Sequence, residues 1–198
     1  NPNLIPEKAI SYEVGARTAS SSGFTGQLSY FSRQGRDIID WTKNVQTDPW
    51  HPDNISSVNM SGIDMNASLI PTVFSGKADY VVQRLDLNYT YIIKTNVSVE
   101  GSFSKYALEN LTHQLSAGLQ LRYSRWLSHS IYYRYCDRVN LEEYSIVDSR
   151  LRATINRFSG FIDVTNIFDV VYKETNLVTL PGRWFKFGLS YSIPLKRK

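Results

Sequence analysis

In the stretch RWFKFGLSYSI, residues 183–193, apolar and polar side chains alternate strictly from Phe185 to Ile193. Every odd position from Phe185 to Ile193 is apolar, and the even positions carry lysine, glycine or serine. A period of two predicts a β-strand with one apolar and one polar face. A second strand, predicted over Phe158–Tyr172, precedes this stretch and runs through the corner Asn166-Ile167-Phe168-Asp169.

The same alternation recurs along the whole chain. Eight further segments show it: Ile10–Arg17, Phe24–Arg33, Gly62–Leu69, Arg84–Ile93, Leu111–Tyr123, Ser130–Cys136, Val147–Ile155 and Ile162–Thr165. No helical spacing competes over a useful length, and no run approaches the roughly 18 apolar residues that a membrane-spanning helix needs. The pattern predicts an all-β fold, an antiparallel meander of about nine long strands within residues 1–198.

The predicted connections differ at the two ends of the meander. Tight turns are predicted near Ser20, Gly76, Ser124 and Arg157. Longer loops are predicted at Thr42–Ser57, Thr95–Asn110 and Lys173–Gly182, and the shorter connection Asn140–Tyr144 departs from the pattern. Short turns at one rim and long loops at the other are typical of outer-membrane barrels. A soluble β-sandwich is the alternative, although its strands would be shorter and its loops less asymmetric.

Charged side chains follow the polar rows of the predicted strands. They are Arg17, Arg33, Asp64, Arg84, Asp86, Arg122, Arg134, Asp148, Arg150, Arg152, Asp163 and Lys186. Such charges are costly inside a small, side-chain-filled barrel but are accommodated in a wide, water-containing lumen or against a polar plug. Nine strands are too few for a wide barrel, and single-chain bacterial barrels have even strand numbers. The chain is therefore predicted to be part of a larger barrel.

The amino-acid composition favours a protein that contacts a membrane over a nucleic-acid-binding or disulfide-stabilised protein. The 198 residues include 13 Tyr, 9 Phe and 4 Trp, and tyrosine rings suit the border between hydrocarbon and water. The net charge of +4 comes from dispersed residues, which argues against nucleic-acid binding. A single cysteine, Cys136, excludes a disulfide framework and a multi-cysteine zinc site. The first residue is Asn1 and no signal peptide is present, so we expect a mature chain or a fragment.

Enzyme signatures are absent from the sequence. There is no suggestive Ser–His–Asp set, no metal-ligand spacing and no phosphate-binding glycine loop. A small outer-membrane barrel enzyme remains an alternative, with Ser128-His129-Ser130 as its nearest candidate, but alternation alone explains that triplet. We therefore predict no enzyme activity and no cofactor or metal.

Several motifs resemble those of TonB-dependent outer-membrane receptors. The box at Asn1, Pro2, Leu4, Pro6 and Glu7, followed by Tyr12-Glu13-Val14-Gly15, is similar to the family segment NPxLxPE…YExG. Asn166, Phe168 and Asp169 resemble the NLFD segment, and Gly182-Arg183 resembles the start of the final strand. Ser61-Gly62-Ile63-Asp64 is similar to a family strand start. The motifs occur in family order along nearly the whole chain.

The resemblance implies a function in the bacterial outer membrane. Family members have a 22-stranded barrel and an N-terminal plug, which a periplasmic TonB-type energy transducer pulls during uptake. Residues 1–198 would be the C-terminal portion of that barrel, with the plug and earlier strands supplied by parts that this chain lacks. Two unpaired sheet edges are costly in a bilayer, so the portion alone is not expected to import ligand.

The resemblance implies a ligand of the cobalamin or iron-complex group, such as cobalamin or a ferric siderophore. A haem receptor is the alternative, because haem receptors share the box at residues 1–4. Candidate ligand contacts in the outer loops are Trp50, His51, Tyr106, Tyr172 and Arg183. The aromatic rings among them are able to stack on a planar ligand. Girdle or loop packing is the alternative role of each ring, and strand anchoring is that of Arg183.

Overall fold

The computed structural model describes residues 1–21, 23–71, 81–98, 103–104, 111–139, 141–175 and 178–193. The strands are β1 (Lys8–Ala19), β2 (Phe24–Lys43), β3 (His51–Leu69), β4 (Val82–Ser98), β5 (Phe103–Ser104), β6 (Leu111–Arg122), β7 (Leu127–Arg138), β8 (Tyr144–Ile155), β9 (Phe158–Thr165), β10 (Lys173–Thr175), β11 (Val178–Thr179) and β12 (Trp184–Tyr191). Within these ranges, no helix has the length and apolar character needed to cross a membrane.

Nine strands form one continuous antiparallel sheet in the order β1-β2-β3-β4-β6-β7-β8-β9-β12. Each is hydrogen-bonded to the next long strand along the chain, which is the topology of a meander. The short strand β5 pairs with the far end of β2, and β10 pairs only with β11. The predicted all-β fold, its antiparallel meander and its nine long strands are confirmed.

The register aligns residues of one kind across neighbouring strands. Leu85 pairs with Leu119, which pairs with Ile131. On the opposite face, Arg84 pairs with Gln120, which pairs with Ser130. Because successive side chains point to opposite faces, this register produces one apolar face and one polar face across β4, β6 and β7.

The apolar face is open rather than packed against a second layer. Among the described residues, only Cys136 and Ile146 are buried hydrophobic side chains. Leu189 is 92% exposed and Phe187 is 85% exposed, although both belong to the apolar rows. A contiguous exposed apolar surface of this kind marks an interaction with membrane or protein.

The sheet has two rims, which we name by their connections. The turn rim carries residues 20–23, 123–126 and 156–157, together with the 70–81 connection. The loop rim carries residues 1–7 and the connections 44–50, 99–110, 139–143 and 166–183. The tight turns predicted near Ser20, Ser124 and Arg157 are therefore present at the turn rim. The tight turn predicted near Gly76 lies outside the described residues.

The predicted loop at Thr42–Ser57 is wrong over most of its length. Strand β2 continues to Lys43 and β3 begins at His51, so only residues 44–50 connect them. Pro52 pairs with Trp41. Proline is tolerated there because the described β3–β4 pairing starts only at Ser57, which leaves this end of β3 as a sheet edge.

Two other predicted boundaries are corrected. The strand predicted over Phe158–Tyr172 ends at Thr165, because Asn166 and Asp169 adopt positive φ angles of 52° and 57°, outside the extended region, and turn the chain away from the sheet. The predicted Thr95–Asn110 loop starts later, since β4 continues to Ser98 and β5 lies within the connection. The Lys173–Gly182 loop contains the β10–β11 hairpin.

One ion pair joins the polar faces of β8 and β9. Arg150 donates from Nε to Asp163 Oδ1 and from a terminal nitrogen to Asp163 Oδ2, both at 2.6 Å. Asp163 is only 8% exposed, and Lys186 of β12 is its cross-strand partner on the other side. Asp163 therefore compensates two neighbouring cations.

We predict that Asp163→Ala lowers the free energy of unfolding by about 1.5–3 kcal/mol, because it removes a bidentate charged interaction and leaves two facing cations. Asp86→Ala is the matched control. Its partner Arg84 lies on the same strand, the Asp86 side chain is 26% exposed, and we expect a loss below about 1 kcal/mol. Urea unfolding measures the stability of both variants. Equal losses of unfolding free energy would contradict the stronger contribution assigned to the Arg150–Asp163 ion pair.

Candidate functional site at the loop rim

The corner after β9 is organised by the buried side chain of Asn166, which is 3% exposed. Its Nδ2 donates to the carbonyl of Val170 at 2.8 Å, and its Oδ1 accepts from the Val170 amide at 2.9 Å. The Asn166 amide donates to Asp148 Oδ1 at 2.8 Å. One asparagine thus replaces the backbone partners that are lost where the chain leaves the sheet. Asparagine also tolerates the positive φ of this position better than most residues.

Asp169 links this corner to the start of the final strand. Its Oδ1 accepts the Arg183 amide at 2.6 Å, and its own amide donates to the Asn166 carbonyl at 2.9 Å. A Cβ placed on Gly182 would overlap Asp169 Oδ1. The glycine is therefore required by the close approach of the carboxylate. Phe168 is 69% exposed and takes no part in these bonds.

The N-terminal box is held by the extended β2–β3 hairpin. Asn1 Nδ2 donates to Asp53 Oδ1 at 2.8 Å and to the Pro52 carbonyl at 3.1 Å. Glu7 Oε1 accepts the Ile39 amide at 2.8 Å. Glu7 therefore bonds the β2 backbone just beyond Arg36, the last residue of β2 that pairs with β1.

Asn54 of β3 completes this arrangement. Its side chain bonds both backbone groups of Ile5. Asn54 Oδ1 accepts from the Ile5 backbone N–H at 3.0 Å, and Asn54 Nδ2 donates to the Ile5 carbonyl at 2.9 Å. Pro2, Leu4 and Pro6 lie between these anchor points. The box residues thus fix the chain against the loop rim.

Trp50 and His51 lie where the 44–50 connection enters β3. The ammonium group of Lys43 stands 4.9 Å from the centroid of the Trp50 ring, within the range of a cation–π contact. His51 Nε2 is 2.9 Å from Asp53 Oδ2, the carboxylate that also accepts from Asn1. His51 is therefore linked to the N-terminal box through Asp53, whereas Trp50 contacts Lys43 of β2.

Tyr172 and Arg183 lie at the other end of the loop rim. The Tyr172 ring is 4.6 Å from the ring of Tyr144, centroid to centroid. Arg183 contributes its backbone amide to the corner. Strands β4, β6, β7 and β8 separate this pair from Trp50 and His51 in the sheet order, so the described structure does not bring the two pairs together. Tyr106 lies outside the described residues.

A cavity of about 310 Å³ lies beneath the corner, on the polar face. Tyr172 and Gly182 line it together with Arg134, Trp184 and Lys186. Arg134 keeps a 3.4 Å contact with Asp148, whose second oxygen is bound to the Asn166 amide. Two cations beside two aromatic rings suit a planar or anionic group. Sequence reasoning placed Arg134 and Lys186 on the polar face but missed Trp184, because a single aromatic residue on that face gives no periodic signal.

A second cavity of about 260 Å³ lies near the end of the β2–β3 hairpin. Ile38, Ile39, Val58 and Met60 line it, together with Arg33 among others. Sequence reasoning missed this apolar patch because the predicted strands Phe24–Arg33 and Gly62–Leu69 left out residues 34–61, which hold most of its lining. Within the described residues, no three or more His, Cys, Asp or Glu side chains are grouped to hold a metal ion.

The contact between Gly182 and Asp169 gives a testable coupling. We predict that Gly182→Ala lowers the free energy of unfolding by about 1–3 kcal/mol, because the methyl group displaces the carboxylate from the Arg183 amide. In an Asp169→Ala background the same substitution should cost less than about 0.5 kcal/mol, since nothing remains to be displaced. A double-mutant cycle by urea unfolding measures the coupling, and additive losses would contradict the assigned contact.

The sequence of this chain is similar to those of known proteins. A family model described as TonB dependent receptor-like, beta-barrel matches residues 1–191. The vitamin B12 transporter BtuB of Vibrio vulnificus (strain YJ016) is 37% identical over 68 residues, which cover 34% of this chain and 11% of that protein.

Solved structures show the same fold at low sequence identity. The FrpB iron transporter from Neisseria meningitidis (F3-3 variant) is matched with a TM-score of 0.70 at 15% identity, over 96% of this chain and 32% of that one. The siderophore receptor PirA from Acinetobacter baumannii gives 0.69 at 15% identity, over 98% and 33%. The copper transporter OprC gives 0.71 at 13% identity, over 96% and 32%.

The chain thus spans about a third of the length of these structures. The family match covers both motif groups of the loop rim and nearly the whole sheet. The predicted family is confirmed: this chain belongs to the TonB-dependent receptors, as part of their β-barrel.

Proposed function

We propose that this chain forms part of the barrel wall of a bacterial outer-membrane receptor that imports a scarce ligand, cobalamin or a ferric siderophore. The observation that carries the proposal is the nine-stranded antiparallel sheet, in which apolar and polar rows are aligned across β4, β6 and β7. Family membership supports the same reading. The apolar face would contact lipid, and the charged face would line the lumen.

The partners proposed for the chain follow from its open edges. Within the described structure, β1 and β12 are the two ends of the sheet and do not pair with each other. Unpaired backbone groups are costly in hydrocarbon, so a membrane-embedded wall requires further strands to close it. We propose that earlier barrel strands and a plug domain complete the receptor, and that a TonB-type protein energises uptake through that plug.

Ligand contacts are proposed at the loop rim. Trp50 and His51 present an aromatic ring and an imidazole beside Lys43, and Tyr172 and Arg183 adjoin the cavity lined by Arg134, Trp184 and Lys186. The names of similar proteins, a vitamin B12 transporter and a siderophore receptor, favour cobalamin or an iron complex as the ligand. Haem is the alternative ligand. We propose binding and transport, with no catalytic step.

We predict that Trp50→Ala in the complete receptor weakens apparent ligand affinity by about threefold to tenfold, because one stacking surface is lost. The measurement is growth rescue of a strain without its own receptors, which is supplied separately with cobalamin, ferric siderophores or haem. The ligand that supports growth is identified in this way, and its concentration dependence gives the change in apparent affinity. Trp126→Ala, at the turn rim, is the matched control and should leave rescue unchanged. Rescue by none of these ligands would contradict the proposed function. An unchanged affinity in the Trp50→Ala receptor would show that the ligand does not bind at Trp50.

A further inference from the structure

Aromatic side chains are concentrated where the apolar face meets the turn rim. Tyr123 and Tyr191 are each 50% exposed, and Phe158 is 67% exposed. Phe158 and Tyr191 lie 4.7 Å apart between ring centroids, and the Tyr123 hydroxyl is 3.0 Å from His129 Nδ1. Amphipathic rings in such a row are typical of the level at which lipid headgroups begin.

The charged residues in the described turns of the turn rim are arginines. Arg125 is exposed in the turn between β6 and β7, and Arg157 is exposed in the turn between β8 and β9. The described residues 19–21, 23–24, 69–71, 81–82, 121–128, 153–160 and 190–193 contain no Asp or Glu. The loop rim differs, because Asp53, Glu143 and Asp169 are among its acids. Within the described residues, the two turns that hold Arg125 and Arg157 therefore contain no carboxylate.

An apolar groove of about 420 Å³ opens beside this positive rim. Ile155, Phe158, Leu189 and Tyr191 form its sides, and Ala153 and Gly160 leave space at its base. The Ser192 amide donates to the Arg157 carbonyl at 2.9 Å, which holds the Arg157 turn against the end of β12 beside the groove. A cationic turn and an apolar channel are thus placed next to each other.

We propose that this groove and its flanking turns bind an anionic phospholipid, with an acyl chain along Gly160 and the headgroup phosphate near Arg157 and Arg125. The proposal rests on the membrane placement inferred above but assigns a separate site, on the outside of the wall. Charge complementarity selects the headgroup, since each arginine near a membrane surface favours an anionic lipid. The continuity of the groove with the apolar face selects a lipid chain over a soluble partner.

The test uses the complete receptor in nanodiscs containing equal amounts of phosphatidylglycerol and phosphatidylcholine. Native mass spectrometry counts the lipids that remain bound after release from the disc. We expect preferential retention of phosphatidylglycerol, and a loss of about fivefold in its binding for each of Arg125→Gln and Arg157→Gln. The double variant Lys8→Gln/Arg36→Gln, which removes two exposed loop-rim cations, is the matched control and should retain the lipid.

Gly160→Val tests the groove without changing charge. A Cβ at this position would stand 2.9 Å from Leu189 Cδ2, so the valine side chain fills the channel and should also reduce retention. Equal retention of the two lipids, or an equal loss in the loop-rim control, would overturn the proposal. A receptor dimer that is broken by Gly160→Val and insensitive to lipid would assign the groove to a second copy and overturn it too. Failure of the receptor to enter a bilayer would instead refute the proposed membrane placement, and this site with it.

Discussion

The structure depends on one constraint, the alignment of side-chain rows by the backbone hydrogen bonds of neighbouring strands. A one-residue slip at any strand pair would turn apolar side chains toward the charged face. The observed register keeps the rows aligned across β4, β6 and β7, where Leu85, Leu119 and Ile131 are cross-strand partners on one face. The ion pair of Arg150 and Asp163 depends on the same alignment, since the two residues are direct cross-strand partners.

Side chains take over where strand pairing ends. At the corner, Asn166 and Asp169 satisfy backbone groups that have left the sheet, and at the other edge Asn54 and Glu7 do the same for Ile5 and Ile39. Buried or partly buried backbone groups need such partners. Hydrogen bonding at the loop rim therefore accounts for Asn1, Glu7, Asn166 and Asp169 among the motif residues, separately from any contact with ligand.

Much of this fold could be predicted from the sequence, because strict alternation marks a strand whose two faces meet different surroundings. Prediction failed at the β2–β3 hairpin, where residues 42–57 are mostly polar and Pro52 resembles a loop residue although it lies in a paired strand. It also failed at Thr165, where the positive φ of Asn166 ends the strand without any break in composition. The cavities could not be predicted, because they join residues from several strands, such as Arg134 and Trp184.

The central claim is that the apolar face meets lipid and the polar face meets water. Nitroxide labels placed singly at residues 114–120 of β6, in a receptor whose Cys136 is replaced by serine, test it most directly by their collision rates in a bilayer. The account predicts that labels at 115, 117 and 119 collide with dissolved oxygen, and that labels at 114, 116, 118 and 120 collide with a water-soluble nickel chelate. Uniform access of the chelate to all seven positions would contradict it.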